Sequence, residues 1–260
     1  MINDRGAEWD SSSEDLVEGR NPVLEALSAG RMIDKLYIAR DPDSALRRIA
    51  AIAREQGTAV VEVDRRKLDQ MSRTRAHQGV IGRLPAREYA DLDEILEKCA
   101  AKRAEGEYPL LVVCDGVTDP NNLGAIIRSA EAAGADGVIT RERRAAGLTA
   151  VVSKASAGAL EHIPVARVAN IATLIERLKK EGFWIFGTAG AAATSLYDTD
   201  FNTSAAIVVG AEGDGVSRLV LERCDFTVSI PMLGKMSSLN ASAAAAVVLF
   251  EAVRQRMNGK

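Results

Sequence analysis

Residues 110–134 read LLVVCDGVTDPNNLGAIIRSAEAAG, and the change of pattern inside them decides the fold. Residues 110–114 (LLVVC) form a short, nearly continuous apolar run, as expected of a strand buried on both faces. The chain then turns polar at Asp119-Pro120-Asn121-Asn122. From Leu123 onward the period changes: Leu123, Ile126, Ile127 and Ala130 share one helical face, with Asn122 the expected N-cap. Arg128 and Glu131 stand three residues apart on that helix. A strand that feeds a capped helix is a common ligand position, because the helix start offers unpaired N–H groups. A plain cap and a surface arginine would give the same pattern.

Downstream, strand and helix alternate. Strands are expected at 137–140, 165–168, 184–188, 205–210 and 226–230, and helices at 149–160, 171–181 and 239–257. Such alternation predicts a parallel sheet. Three of the strands run into glycine-bearing loops, at 187–190, 210–215 and 231–234. Glycine admits close approach of a ligand to backbone, and ligands of these sheets bind at strand C-termini. None of the loops has the GxxxxGK[ST] or GxGxxG spacing, which disfavours ATP hydrolysis and an ordinary dinucleotide site.

Upstream, residues 1–14 are polar and acidic and are expected to be disordered. Residues 15–84 read as a small α/β domain. Its first helix, within 17–30, has Asn21 as cap, Pro22 in the first position and Val23, Leu24 and Leu27 as the buried stripe. Strand 35–39, helix 42–57 with Leu46, Ile49, Ala50 and Ala53 inward, strand 59–63, a helical turn at 67–71 and strand 79–83 follow. Residues 85–107 run from Pro85 through a weakly amphipathic stretch (Leu92, Ile95, Leu96) into a charged run, and are expected to be a linker. Residues 108–260 form the second domain.

A net charge of −3 does not announce a nucleic-acid binder, but local patches would suffice. Arg65, Arg66, Lys67, Arg73, Arg75 and Arg83 are opposed by Asp69 alone. Within the polar loop SRTRAHQG (72–79), Arg73, Arg75, His77 and Gln78 are candidate RNA contacts: guanidinium groups meet phosphates, and His or Gln meets sugars and splayed bases. Arg141, Arg143 and Arg144 make a second, weaker patch. A solvated charged face is the bland alternative for both. The cysteines, Cys99, Cys114 and Cys224, are odd in number and scattered, and His77 and His162 are the only histidines. This predicts a reduced, cytoplasmic setting without disulfides or a metal site. Acidic Asp4, Glu8 and Asp10 precede any apolar run, so neither a signal peptide nor a membrane span is expected.

Longer segments carry a resemblance. DPNNLGAIIRSA (119–130), VVGAEGDGVSR (208–218) and IPMLGKMSSLNASAAAA (230–246) resemble the three motifs of the SpoU/TrmH family of RNA ribose 2'-O-methyltransferases, in the SPOUT superfamily. KASAGALEHIPVARVAN (154–170) matches a further family segment. VEGRNPVLEAL (17–27) and HQG (77–79) look like the accessory RNA-binding domain of the subgroup that methylates a guanosine of large-subunit rRNA. The resemblance implies an α/β fold whose C-terminal parallel-sheet domain carries a deep trefoil knot, preceded by a small α/β RNA-binding domain. It implies S-adenosylmethionine (AdoMet) as methyl donor, no metal, and a homodimer acting on RNA and not DNA. Its catalytic positions fall on Asn122, Arg128, Glu212, Ser238 and Asn240. Its cofactor contacts fall on Thr188, Ala189, Gly190, Gly210, Ile230 and Leu239. A tRNA-directed enzyme, an adenosine-directed rRNA enzyme and a non-catalytic RNA-binding assembly factor are the alternatives.

Overall fold

The structure, a computed structural model, describes residues 16–236 and 238–258. The tail at 1–14 lies outside them. The chain divides into two units between Ala86 and Arg87.

The first unit runs β1 (Leu16–Glu18), α1 (Arg20–Ser28), β2 (Lys35–Ala39), α2 (Ser44–Glu55), β3 (Ala59–Val63), α3 (Arg65–Met71) and β4 (Val80–Arg83). Its sheet has the order β1-β4-β2-β3, with β4 antiparallel to both neighbours and β2 parallel to β3. One face buries Val23, Leu27, Leu36, Ile38, Ile49 and Val80; the other buries Tyr37, Ile81 and Leu68. The four inward positions expected of α2 are all buried. Helix α1 starts earlier than its sequence suggests. Gly19 (φ 95°), not Asn21, is the N-cap, because β1 ends there and the chain must turn sharply. Pro22 still fits, since first-turn N–H groups have no intrahelical acceptor.

The second unit opens with α4 (Leu92–Ala104), capped by Asp91. The expected linker at 85–107 is therefore largely helix. Ile95, Leu96 and Cys99 of α4 belong to a main core, so three apolar contacts suffice where the amphipathic signal is weak. Then come β5 (Leu110–Asp115), α5 (Pro120–Ala132), β6 (Gly137–Arg141), α6 (Ala150–Ala155), β7 (Val165–Val168), α7 (Ile171–Lys180) and β8 (Trp184–Thr188). After the two-residue β9 (Thr194–Ser195), β10 (Ala205–Gly210), α8 (Arg218–Leu221), β11 (Phe226–Ser229) and α9 (Ala241–Asn258) complete the unit.

All seven strands pair in parallel, in the order β7-β6-β5-β10-β8-β11-β9. All six residues of β5 are buried. Leu110, Val112 and Cys114 face a layer holding Ile126 and Ile127 of α5 and Leu249 of α9. Leu111 and Val113 face α4 and α7 through Ile95, Ile175 and Leu178. A strand sandwiched in this way has no solvent face, which is why its sequence does not alternate. The late strand β10 inserts beside β5 at the centre of the sheet, an order consistent with the knotted SPOUT fold.

Two local expectations are corrected. Asn122 does not cap α5: Asp119 does, accepting from the Asn121 N–H, and Pro120 takes the first turn. Asn122 is instead buried inside the first turn. The helix expected over 149–160 breaks after α6, where Ala157 (φ 50°) and Gly158 (φ 91°) are left-handed, and resumes as a 3-10 turn at Ala159–Glu161.

Helices α5 and α6 touch at Gly124, where a Cβ would lie 2.5 Å from the Ala155 Cβ and 2.8 Å from the Val152 carbonyl oxygen. Gly124→Ala is expected to lower stability by about 1–3 kcal/mol through overpacking. Urea unfolding at equilibrium checks it, and an unchanged midpoint would show that the two helices yield.

Candidate active site

Strands β8, β10 and β11 end at one edge of the sheet, and their loops enclose a cleft. Thr188, Ala189, Gly190, Gly210, Ile230 and Leu239, the six expected cofactor positions, all line it, together with Glu212 and Ser238. Met232, Ala241 and Ala244 also line it and were missed; the last two sit at the start of α9, where alanine reads only as helix-forming. The loops are held from below. Thr188 donates its hydroxyl proton to the Val208 carbonyl (3.0 Å), and the Ala189 N–H donates to the Val228 carbonyl (3.0 Å). After Gly210 the chain folds back as a miniature hairpin, with Ala211 and Gly215 exchanging both backbone hydrogen bonds (3.0 and 2.9 Å). A Cβ on Gly210 would lie 1.9 Å from the Gly215 carbonyl carbon and 2.0 Å from the Val216 nitrogen. No side chain fits there.

Three of the expected catalytic residues are joined by hydrogen bonds. Asn122 donates from Nδ2 to the Glu212 carboxylate (3.0 Å). Asn240 donates from Nδ2 to the Asn122 Oδ1 (2.9 Å). The Asn240 Oδ1 then accepts from the Ser242 N–H (2.9 Å), the Ser242 hydroxyl (2.6 Å) and the Ala243 N–H (3.3 Å), capping α9. A cap at 240 explains why α9 begins at Ala241 and not at 239. Arg128 is not drawn into this set. It is exposed on α5 and makes no hydrogen bond or ion pair among the described residues, so Glu212 is held by Asn122 and not by Arg128.

Residues 109–250 match the SpoU rRNA Methylase family, and residues 16–90 match the RNA 2'-O ribose methyltransferase substrate-binding family. The chain belongs to the SpoU rRNA methylase family. It is 43% identical, over 95% of its length and 98% of the relative's, to the putative TrmH family tRNA/rRNA methyltransferase YacO of Bacillus subtilis. Its fold is similar to the AdoMet complex of the SpoU methyltransferase AviRb from Streptomyces viridochromogenes, with TM-score 0.59 and 30% identity over 94% of this chain and 91% of that one. An AdoMet-bound rRNA methyltransferase from Sinorhizobium meliloti gives TM-score 0.58 and 27% identity, covering 92% of this chain and 87% of that one.

The family's substrate-binding portion corresponds to the first unit, and here the sequence expectations divide. Arg73 and Arg75 are exposed. His77 is buried: the Gly79 N–H donates to its Nδ1 (3.0 Å), so the ring proton sits on Nε2 and points to Asp69 (2.9 Å). It is a structural pin and not a free RNA contact. Gln78 is exposed; its side-chain Oε1 accepts from the Arg20 backbone N–H and its backbone carbonyl from the Arg20 Nε (both 3.2 Å), closing the start of α1. Glu18, missed in the sequence, gathers the loop by accepting from Ser72 Oγ (2.6 Å), the Arg73 N–H (2.8 Å), and the Thr74 hydroxyl (2.6 Å) and N–H (3.3 Å). Burial works against its ionisation, but the hydrogen bonds from Arg73, Ser72 and Thr74 outweigh it and carry the carboxyl down to about 2.

In the second patch, Arg143 and Arg144 are exposed and without partners among the described residues. Arg141 pairs with the buried Asp115 (3.3 Å). Burial pushes the thiols of Cys99, Cys114 and Cys224 up to about 12, so none is a nucleophile near neutral pH. Among the described residues no helix is long and apolar enough to cross a membrane, and no three His, Cys, Asp or Glu side chains converge.

Two outcomes follow from these contacts. Asn122→Asp would set a second carboxylate about 3 Å from Glu212, so both cannot ionise cheaply. The variant should lose about 1–3 kcal/mol at neutral pH, and the loss should shrink at acidic pH, where one proton can be shared by the two carboxyls. Melting temperatures across pH test this, and a pH-independent difference would contradict it. For Glu18, the carboxyl titrates at about 2 in the native state, well below an ordinary glutamate. Its stabilisation is therefore complete above about 4.5 and is lost as pH falls toward about 2. Glu18→Gln should flatten the acid limb of the stability profile, read by urea unfolding between those limits.

Proposed function

We propose that this chain methylates the ribose 2'-oxygen of a guanosine in large-subunit rRNA, working as a cytoplasmic homodimer. Methyl transfer from AdoMet to an RNA 2'-oxygen is the chemistry of its family. The observation that carries the residue-level reading is the hydrogen-bonded series Glu212–Asn122–Asn240 at the rim of the glycine- and alanine-lined cleft.

The cleft suits AdoMet. Gly190, Gly210, Gly213 and Gly215 leave backbone amides and carbonyls reachable, as an adenine edge requires, while Val209, Val228, Ile230 and Leu239 offer apolar wall to the ring and thioether carbons. AdoMet supplies a methyl group already activated by its sulfonium. The protein's contribution is placement, since a 2'-hydroxyl reacts only when held in line with the methyl carbon and sulfur. Asn122 and Asn240 hold the 212 loop to the start of α9, so two walls of the cleft keep one spacing. Arg128 presents a planar guanidinium with five N–H donors. Exposed and without a partner among the described residues, it is placed to orient the ribose–phosphate and to stabilise negative charge developing on the 2'-oxygen. Ser238 sits at the cleft wall, within reach of an incoming sugar.

Support for rRNA comes from the first unit. The rRNA enzyme of S. meliloti matches over 92% of this chain, a span that takes in most of the substrate-binding unit. Arg73 and Arg75 of that unit present unburied charge suited to its phosphates, and Arg143 and Arg144 of the second unit add to it. Support for a dimer comes from exposed apolar side chains late in the chain: Leu233, Met236, Leu239, Phe250 and Met257. The free cysteines fit a reducing cytoplasm.

Incubating the protein with labelled AdoMet and, separately, undermethylated rRNA or tRNA tests the reading, with products mapped by cleavage sensitive to ribose methylation. Label at an rRNA guanosine is expected; label only in tRNA or at an adenosine overturns the substrate. Arg128→Ala should keep AdoMet affinity and lose roughly 10²–10³ in kcat, and full activity would remove Arg128 from the mechanism.

A further inference from the structure

The last residue of β5 is charged, although the strand is otherwise apolar. Asp115 is 2% exposed, and a buried carboxylate is costly unless it is paired. Its Oδ1 accepts from Arg141 Nη1 (3.3 Å) and its Oδ2 from the Ser217 N–H (2.9 Å). One carboxylate thus ties three segments: the end of β5, the end of β6 through Arg141, and the chain returning from the 211–215 hairpin. Register places Asp115 beside Gly210, the residue from which that hairpin departs. The hairpin's entry is fixed by the backbone packed against Gly210, and its exit by the Ser217–Asp115 hydrogen bond. Glu212 lies between the two fixed points.

We propose that Asp115 and Arg141 are a positioning pair that sets the 211–217 loop, and through it Glu212, for binding AdoMet, with Arg141 acting there and not as an RNA contact. The proposal rests on reading this loop as a wall of the AdoMet cleft. Arg141 differs from its neighbours in kind. Its side chain is 35% exposed and its charge faces a 1% exposed carboxylate, whereas Arg143 and Arg144 face solvent. Removing the arginine leaves a buried anion without its counter-charge. The anion then takes a proton or turns toward water, and either response loosens the Ser217 anchor. Replacing the carboxylate by an amide leaves one oxygen to serve both Arg141 and the Ser217 N–H and turns an NH₂ toward the other, so one of the two ties is lost. The two changes attack one contact, so their effects should not multiply.

The test uses the full chain with AdoMet and rRNA. Asp115→Asn, Arg141→Gln, the double variant, Arg141→Lys and the control Arg143→Gln/Arg144→Gln are compared. AdoMet affinity is read by calorimetry, RNA affinity by its salt dependence, and folding by melting temperature. Each single variant should weaken AdoMet binding about tenfold with RNA affinity and salt slope unchanged. The double variant should be no worse than the weaker-binding single, and Arg141→Lys should recover most of the loss. The control should do the reverse, lowering RNA affinity and salt slope with AdoMet binding intact. If Arg141→Gln instead behaves like the control, Arg141 is an RNA contact and the proposal fails. It also fails if the two single losses multiply, or if Arg141→Gln binds AdoMet normally. Should Asp115→Asn not fold, the comparison of Arg141→Gln with Arg141→Lys decides alone. A wild-type protein that does not bind AdoMet overturns the cleft reading itself, and the proposal with it.

Discussion

Everything at the cleft edge of the sheet depends on one steric fact: backbone lies where a side chain at position 210 would be. With the Val216 nitrogen 2.0 Å from that vacant Cβ position, the hairpin after β10 is pressed flat onto its own strand. Its short span leaves Glu212 at the tip with little freedom. Because β10 pairs with β5 at the centre of the sheet, the tip stands over the start of α5. A wider turn would leave the NH₂ end of the buried Asn122 amide without its acceptor, and a buried unpaired donor is expensive. The steric constraint and the polar contact therefore enforce each other.

The two units spend polar groups differently. In the first, Glu18 is satisfied by four donors of the 72–74 segment, so the carboxylate serves as scaffold for an otherwise cationic loop. His77 and Gln78 also make internal hydrogen bonds, while Arg73 and Arg75 stay exposed at the surface. Such a surface suits attraction without strong reading of bases. In the second unit, polar side chains converge on a cleft with small walls, an arrangement made for one shape.

Much of this was legible in the sequence wherever one energy term dominates. The β5 run was recognisable because a strand buried on both faces cannot alternate, and the α2 stripe because its inward residues recur at helical spacing. Gly210 and the loop after it stood out as a glycine cluster at a strand end. Less was legible where two terms compete. Asn122 reads as a cap, yet Asp119 with Pro120 starts the helix and frees Asn122 for Glu212, ninety residues away. Arg141 reads as one of a basic cluster, and only the fold brings Asp115 to it. α4 reads as linker because its three buried contacts are spread through a charged segment. Each miss is a side chain whose partner is distant along the chain, and local pattern carries no record of such pairs.

Carboxamides have a donor end and an acceptor end, and that bipolarity gives the Glu212–Asn122–Asn240 series a direction. A carboxylate can only accept, so Asn122 must turn its NH₂ toward Glu212 and its oxygen toward Asn240. Asn240 must then turn its own NH₂ to that oxygen and its own oxygen to the α9 amides. A single negative charge at one end thus aligns every dipole to the first turn of an eighteen-residue helix, whose positive end welcomes the oxygen it receives. An ionised aspartate at either position would lack the donor, and a serine would not reach both ways. The motif spells its asparagines because the message it relays has a sign.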